Sequence, residues 1–330
     1  MASRRTNLGL AALLPVAAAT GFIAMGVGTR WALPAVLIHG VAGLGLVVLS
    51  PWKQVIVRRG WQRGRSERIS STSLTILSIA AVASGAAHAA GASTIGPVTV
   101  MQVHVASGLG ALAAGVVHYR RHALRPRPTD LDRRSLLLAA GTAAAAGLTW
   151  LAWEGVLDTV GWRGSNRRFT GSHEVASGSP DRMPVTSWIN DRAPQIDAAT
   201  WTVTIAGRPW SVAELAALPQ HSVRATLDCT GGWWSTQDWS GVPLSGLLPE
   251  GDWRSVAITS STRYGRRLPR RDTEHALLAL AVGDQPLTSG HGAPARLVIP
   301  GRRGFWWVKW VTTVEVSSRP WWAQLPFPVT

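Results

Sequence analysis

Five long apolar stretches in the first half of the chain constrain its fold more than any other feature of the sequence. They cover about residues 8–28, 31–50, 70–92, 98–119 and 136–156, and none has a Lys or Arg at its centre. Each is about 20 residues long, which is enough for an α-helix to cross a hydrocarbon layer of about 30 Å. The sequence therefore predicts a transmembrane bundle of five α-helices within residues 1–157.

The basic residues lie almost entirely in alternate loops of this bundle. The N-terminus and the loops after the second and fourth stretches hold 14 Arg or Lys residues, whereas the other two loops hold only Arg30. Basic loops face the cytoplasm, so we expect the N-terminus inside and everything after the fifth stretch outside the plasma membrane. This pattern accounts for most of the net charge of +15, because residues 1–154 contribute +11 of it. A nucleic-acid partner is therefore not predicted.

The fifth stretch begins with Arg133-Arg134-Ser135 followed by three leucines, which resembles a twin-arginine export signal placed inside the chain. Such a signal would export a domain that has already folded around a cofactor in the cytoplasm. The alternative is that the two arginines only mark the inner boundary of the membrane.

Four histidines lie in the apolar stretches or at their ends: His39, His88, His104 and His118. Imidazole is costly in lipid, and its usual purposes there are haem ligation, proton relay or a helix–helix hydrogen bond. The first three histidines lie in the outer part of the membrane, and His118 lies at the inner boundary with His122 as its neighbour. His104 and His118 are about 21 Å apart along one helix, so they cannot share an iron.

The stretches from His39 to Lys53 and from His104 to His118 resemble small b-type cytochrome membrane domains. The resemblance implies a haem b, which we expect to be held by two of His39, His88 and His104. A second, inner haem at His118 is the weaker possibility. Alternatively, the histidines are structural or belong to a quinone site, and the helices are only a membrane anchor.

The pattern changes from about residue 158, where short alternating segments bounded by Gly and Pro replace the long apolar stretches. Residues 201–205, 224–228 and 296–299 read as strands. Helices are predicted only over residues 212–218 and 274–281. Residues 158–330 are thus expected to form an α+β domain, rich in β structure, outside the cytoplasm.

Cys229 is the only cysteine, so an intrachain disulfide is impossible. A predicted strand delivers it to the turn Thr230-Gly231-Gly232, where a thiolate could reach a metal; otherwise it is a small buried side chain. The turn leads to Trp233 and to a segment from Trp239 to Leu248. This segment resembles the sulfite-oxidase and periplasmic methionine-sulfoxide-reductase family, in which the cysteine binds molybdenum beside the dithiolene of molybdopterin.

A second match follows about 60 residues later, where His291, Arg296, Gly304 and Lys309 lie in a Gly- and Trp-rich segment. The family resemblance implies that these residues bind the pterin and its phosphate. The chemistry is suitable, because Arg offers a fork of donors and Lys a point charge to an anion. The alternative for an isolated Arg or Lys is surface solvation.

Weaker matches concern Phe169 and His173, which the resemblance places near the cofactor, and Tyr264, which it places on the substrate side of molybdenum. The arginines that bind sulfite in sulfite oxidases are replaced here by residues 230–233, which argues against sulfite as substrate. The tryptophans nearby suggest an apolar mouth, packing, or a belt at the membrane surface. They are Trp233, Trp234, Trp239, Trp306, Trp307 and Trp310.

The sequence as a whole predicts a membrane-bound molybdenum enzyme. It would transfer an oxygen atom or two electrons between a small-molecule substrate and the metal, and exchange electrons with the haem and a quinone or other carrier. Two alternatives stay open, namely the same enzyme without haem and a non-enzymatic binding module on a degenerate molybdopterin fold.

Overall fold

A computed structural model describes residues 2–60, 65–96, 98–122, 124–188 and 191–328. Arg63, one of the basic residues used to predict the topology, lies outside these ranges. The chain divides into two compact units, Met1–His173 and Glu174–Thr330. The predicted boundary after residue 157 falls within the last turns of a helix that continues to Val160.

The first unit consists of five long helices, in agreement with the sequence prediction. They are α1 (Ala2–Gly26), α2 (Ala32–Gly60), α3 (Arg65–Ala90), α4 (Val100–Arg121) and α5 (Arg133–Val160). All five are long and apolar enough to cross a membrane. A small antiparallel hairpin of β1 (Thr94–Ile95) and β2 (Val98–Thr99) connects α3 to α4.

Local side chains fix where these helices begin. Thr99 caps α4 by accepting a hydrogen bond from the backbone N–H of Gln102, whose side chain accepts one from the N–H of Thr99 in return. Asp132 caps α5 by accepting a hydrogen bond from the N–H of Ser135, and it also pairs with Arg5 at 2.9 Å. The N-terminus of α1 is therefore held beside the twin-arginine segment that opens α5.

The helices pack mainly as the pairs α1–α2 and α3–α4, with α5 against α2. Small residues allow the close approach. A Cβ atom built on Gly40 of α2 would lie 2.2 Å from the ring of Trp150 on α5, so only glycine fits at this contact.

The second unit contains two sheets and one short helix, α6 (Val212–Ala217). In the first sheet β6 (His221–Asp228) pairs with β7 (Trp233–Pro243), β7 with β10 (Leu277–Val282), and β10 with both β11 (Gln285–Pro286) and β12 (Arg296–Val298). The second sheet has the order β5 (Arg208–Ser211), β4 (Thr202–Ile205), β13 (Val311–Ser317), β8 (Ser255–Ser260), β9 (Gly265–Pro269). A further short strand, β3, covers His173–Glu174.

One apolar core joins both sheets of this unit, and the β-rich α+β prediction is confirmed. Members of the core come from β4, β7, β8, β10 and β13, among them Val203, Trp239, Ile258, Leu278 and Val314. The predicted helix over residues 212–218 is α6, which Ser211 and Glu214 begin with a reciprocal cap.

The predicted helix over residues 274–281 is wrong. Residues Arg270–Glu274 form a 3₁₀ turn, and the apolar run that follows is the strand β10. This strand lies between β7 and β12, and most of its side chains are buried. A central strand buried on both faces reads as a continuous apolar run, which the sequence alone cannot distinguish from a buried helix.

Candidate active site

Cys229 lies in the tight turn between β6 and β7, as the sequence predicts. Its backbone N–H donates to the carbonyl of Trp233 at 2.8 Å, and Gly232 N–H donates to the carbonyl of Cys229 at 3.1 Å. Gly232 has a φ of +91°, a conformation that glycine adopts without steric cost. The turn presents the thiol to a pocket instead of directing it along the sheet.

The pocket brings together six residues singled out from the sequence, which come from five separate segments of the second unit. They are Cys229, Tyr264, His291, Arg296, Gly304 and Lys309. The fold thus brings together residues that lie up to 80 positions apart in the sequence. The pocket is concave and combines aromatic walls with a few convergent polar groups, which is typical of a cofactor or substrate site.

The thiol of Cys229 is buried, and burial raises its pKa. Several groups favour the thiolate in the opposite direction. The N–H of Gly231 donates to Sγ at 3.3 Å, and the positive charges of Arg303 and Lys309 act on it. The thiol is therefore protonated in the free site, but it is surrounded by groups that would stabilise a thiolate bound to a metal.

Arg296 is a buried cation with no carboxylate partner among the residues that the structure describes. It lies on β12, 1% exposed, and its two terminal nitrogens donate to the carbonyls of His291 at 3.0 Å and Trp307 at 3.5 Å. Its Nε has no hydrogen-bond partner. Desolvation lowers the pKa of Arg296 to about 9. A buried guanidinium in this state is suited to receive an anion.

Lys309 and His291 complete this basic group. Lys309 Nζ donates to the carbonyls of Thr186 at 2.9 Å and Gly290 at 2.6 Å. Desolvation, and then the charge of Arg296, lower the pKa of Lys309 to about 7. His291 is neutral in these surroundings because desolvation lowers its pKa as well, and its ring nitrogens contact Thr288 Oγ1 and the Met183 carbonyl.

Two further predicted residues shape the pocket in different ways. Tyr264 directs its hydroxyl to the carbonyl of Phe305, and burial raises its pKa. Gly304 packs against the cysteine itself, since a Cβ atom there would lie 3.2 Å from Cys229 Cα. The ring of Tyr264 thus forms part of the pocket wall, and the missing side chain of Gly304 allows the Cys229 turn to pack closely against the Gly304 backbone.

A buried ion pair behind the cysteine was not predicted. Arg303 pairs with Asp228, with side chains 4% and 2% exposed, and Arg303 Nη2 also donates to the carbonyl of Cys229 at 3.2 Å. Asp228 is adjacent to the cysteine in sequence, but that position alone predicts no role for it. Nothing in the sequence distinguishes Arg303 from the neighbouring Arg302, which instead pairs with Asp272.

Phe169 and His173 belong to the first unit and are not among the residues that line the pocket. His173 Nε2 donates to the backbone carbonyl of His88 at 2.6 Å. The guanidinium of Arg168 lies 4.7 Å from the centre of the Phe169 ring. Their role at a cofactor stays a prediction.

The tryptophans of the two motifs divide between pocket and core. Trp233 and Trp307 line the pocket. Trp239 and Trp310 are fully buried, and Trp306 is nearly so. Packing accounts for the latter three, so the aromatic character of the pocket comes from fewer of these residues than their number suggests.

In the first unit, two of the predicted histidines face each other. His39 on α2 and His104 on α4 have their Nε2 atoms 3.4 Å apart. Each Nδ1 is held by a carbonyl of a neighbouring helix, His39 by Ala17 at 2.7 Å and His104 by Ala81 at 2.8 Å. Glycines make room for both rings, because Cβ atoms at Gly21 and Gly85 would meet them at about 3 Å.

The other two histidines are placed differently. His88, at the end of α3, contacts the carbonyl of Gly171 at 3.1 Å, and its ring lies 4.8 Å from that of His173. The ring of His118 lies 4.7 Å from that of His122 on the same chain segment. Neither His88 nor His118 takes part in the facing arrangement of His39 and His104.

Comparison with known proteins supports a redox assignment for the second unit. Residues 190–324 match the family model described as "Oxidoreductase molybdopterin binding domain". Mitochondrial sulfite oxidases are similar, with 29% identity over 166 residues for Mus musculus and 27% over 165 for Homo sapiens. Each match covers 38% of this chain and 30% of the relative, so the chain spans about a third of their length.

A second kind of relative is the "Putative protein-methionine-sulfoxide reductase subunit YedZ1" of Azospira oryzae. It is 26% identical over 140 residues, covering 39% of this chain and 53% of the relative. Among solved structures, the sulfane dehydrogenase SoxCD of Paracoccus pantotrophus matches 38% of this chain and 40% of its own, with 22% identity and a TM-score of 0.37. The family model and the sulfite oxidase relatives, not this structure, show that the chain carries a molybdopterin-binding oxidoreductase domain related to sulfite oxidase.

Proposed function

We propose that this protein is a membrane-bound, molybdenum-dependent oxidoreductase in which Cys229 binds the metal. The observation that carries the proposal is that this thiol lines the same pocket as Arg296, a buried cation with an unpartnered Nε. A thiolate ligand and a buried basic group are the two features that a metal–dithiolene group with a phosphate requires.

The residues of the pocket fit molybdopterin. Cys229 would bind the molybdenum, and Arg296 and Lys309 would bind the phosphate. His291 would contact the pterin through its ring, since Thr288 and the Met183 carbonyl already engage both of its nitrogens. When bound, the group supplies two-electron chemistry, including oxygen-atom transfer.

The chain's own residues prepare the site for that chemistry. Gly231 N–H and Arg303 stabilise the Cys229 thiolate. Lys309 has a pKa of about 7 in the free site, so an anion beside it would hold its proton. The buried rings of Tyr264 and Phe305 line the pocket, and an apolar wall would strengthen each of these interactions.

The membrane unit is proposed to carry a haem b between His39 and His104. Because both Nδ1 atoms donate to carbonyls, both Nε2 atoms present lone pairs to each other at 3.4 Å. Two facing acceptors are unfavourable unless a cation lies between them, and a carbonyl on the other nitrogen is how proteins orient metal-binding histidines. His88 and His118 lack this arrangement and are not proposed as ligands of that iron.

The proposed orientation of the chain in the membrane follows from the basic residues in its loops. With 14 basic residues on one side and Arg30 on the other, the N-terminus would be cytoplasmic and the second unit would lie outside the plasma membrane. Electrons would then pass between the outer domain, the haem and a quinone or similar carrier in the membrane.

Elemental analysis of the purified protein tests the molybdenum assignment. We expect about one molybdenum per chain together with extractable pterin, and loss of the metal in Cys229→Ser. Ser222→Ala, an exposed change on the same hairpin, should keep the metal. A wild-type protein that is folded but lacks molybdenum, or a Cys229→Ser variant that retains it in full, would refute the proposal.

Absorbance spectra test the haem separately. The reduced-minus-oxidised spectrum of the wild type should contain haem b bands, and these should disappear in His39→Ala and in His104→Ala. His88→Ala is the matched control, because its ring lies outside the facing pair, and it should keep the bands. If His88→Ala loses them while His39→Ala does not, the ligand assignment is wrong; a wild type without bands leaves only a membrane anchor.

A further inference from the structure

One wall of the pocket includes Pro184, Thr186, Ser187, Trp188 and Asp191, all of which lie outside helices and strands. Thr186 is hydrogen-bonded to both Lys309 and Trp233. Its carbonyl accepts a hydrogen bond from Lys309 Nζ at 2.9 Å, and its Oγ1 accepts one from Trp233 Nε1 at 3.0 Å. Trp188 and Asp191 follow, and both also line the pocket. Thr186 is therefore held in place as part of the site.

Trp188 is held in place by a second segment of the chain. Its Nε1 donates to the carbonyl of Pro328 at 3.0 Å, and its ring stacks on Phe327 with an interplanar angle of 12°. On the pocket side its centre lies 6.5 Å from that of Tyr264 and 6.1 Å from that of Phe305. The three rings form a continuous aromatic wall with few rotatable bonds.

Burial distinguishes this wall from the floor of the pocket. Cys229, His291 and Arg296 are at most 9% exposed, whereas Trp188 and Asp191 are half-buried. A molecule that enters from solvent therefore meets Trp188 and Asp191 beside it and the thiol beneath it.

The charges of the pocket are divided in the same way. Arg296 is fully buried in the floor, and Lys309 directs its donors to two carbonyls. Asp191 carries the only carboxylate among the described lining residues, and its charge opposes the loss of the proton from Lys309. Once a bound phosphate neutralises the two cations, Asp191 is the remaining charged side chain among the described residues that line the pocket.

We propose that Asp191 and Trp188 select the substrate by charge, favouring an uncharged or cationic organic molecule over an anion. This inference rests on the proposed function, since it assigns the substrate side of the same site. An anion would meet a carboxylate, and with the phosphate bound no described lining residue offers it a free cation. A methylated organic group would pack on the aromatic wall, and a positive charge on it would gain both the carboxylate and the ring faces.

Binding of three sulfoxides that differ only in charge tests the proposal without requiring turnover. The probes are dimethyl sulfoxide, methylsulfinylacetate as the anion, and (2-methylsulfinylethyl)trimethylammonium as the cation. Their dissociation constants are measured by titration calorimetry on the full-length protein in detergent. We expect the cation to bind more tightly than the anion by about tenfold to a hundredfold, the effect of one charge–charge interaction in a partly desolvated site.

Asp191→Asn removes the charge with almost no change of shape. It should reduce the ratio of anion to cation dissociation constants to within about threefold of unity, because the carboxylate that causes most of the difference is gone and only the ring faces still favour the cation. Asp252→Asn, at an exposed carboxylate away from the pocket lining, should leave the ratio unchanged. Trp188→Ala should weaken all three probes, and the cation most, because the cation also loses its contact with the ring face. Trp188→Phe should recover part of that loss.

The proposed selection by charge is refuted if the anion binds to the wild type as tightly as the cation. It is also refuted if Asp191→Asn leaves the ratio of the anion and cation dissociation constants unchanged. Molybdenum and pterin are measured on the same samples and should be equal in wild type, Asp191→Asn and Asp252→Asn. Absence of metal from all three would count against the proposed enzyme, whereas a wrong charge ratio with metal present counts only against the role of Asp191.

Discussion

The buried ion pair between Arg303 and Asp228 offers a direct test of how the Cys229 turn is held. Replacing Arg303 by Met keeps most of the side-chain length and removes the charge. Asp228, whose side chain is 2% exposed, would then be left as a buried carboxylate without its cation. The carbonyl of Cys229 would also lose the hydrogen bond from Arg303 Nη2.

The expected cost follows from the burial of the pair. Removing one partner of a fully buried ion pair destabilises a protein by about 3–5 kcal/mol, because the other charge stays desolvated. Strand β6, which ends at Asp228, provides a matched control in Arg224. Arg224 pairs with Asp238 at 3.0 Å, but their side chains are 65% and 52% exposed. Such an exposed pair contributes about 0–1 kcal/mol, so Arg224→Met should have little effect.

Tryptophan fluorescence during thermal unfolding of the full-length protein in detergent measures the difference. The signal reports mainly on the second unit, because 12 of the 18 tryptophans lie in residues 174–330. For a unit of this size, about 2–4 °C of melting temperature is lost per kcal/mol. We therefore expect Arg303→Met to melt about 6–20 °C lower than wild type, and Arg224→Met within about 4 °C of it.

A double variant separates charge burial from loss of packing. Asp228→Leu with Arg303→Met removes both charges, and it should recover part of the stability lost in Arg303→Met alone. The reasoning is wrong if Arg303→Met destabilises no more than Arg224→Met, or if the double variant is as unstable as the sum of its single changes.

Three other predictions concern the pocket. The unfolded chain keeps the Lys309 proton up to its ordinary pKa of 10.5, whereas the folded, cofactor-free protein releases it near pH 7. The unfolding free energy should therefore rise with pH between these two values. Urea denaturation at a series of pH values should show a flatter rise for Lys309→Met than for the wild type. Gly304→Ala should lower the unfolding free energy by about 1–3 kcal/mol, because the added methyl group would press on the Cys229 backbone. Gly246→Ala, with open space around it, should leave the unfolding free energy unchanged. Equal effects of the two changes would contradict the contact between Gly304 and Cys229. Arg296→Gln should lose most of the extractable pterin while Arg224→Gln retains it, and full retention in both would exclude Arg296 as the phosphate ligand.

The sequence predicted those elements whose signals are local and strong. The five spans follow from length and the absence of charge at their centres, and α6 follows from its cap at Ser211. The strand and turn that deliver Cys229 follow from an alternating run that ends in two glycines. In each case the deciding physics acts within about 20 residues, so no knowledge of distant contacts is needed.

The strand β10 could not be predicted correctly, because its apolar run is explained by neighbours on both sides. Leu278 pairs with Val242 of β7 and with Leu297 of β12, and neither partner is visible from the run itself. The histidines pose the same problem. Depth in the membrane placed His39, His88 and His104 at a similar level, but only helix packing brings His39 and His104 face to face.

The sequence by itself determined that the chain has an apolar helical half and a β-rich half with a single thiol on a glycine turn, because periodicity, length and charge are properties of neighbouring residues. The tertiary structure decided which side chains surround that thiol. It placed Arg303 behind it, Arg296 and Lys309 beside it, and Trp188 and Asp191 on the wall of the pocket. Burial and charge pairing depend on residues that lie as far apart in the sequence as Thr186 and Lys309, 123 positions, and these contacts are fixed only when the sheets and loops pack together.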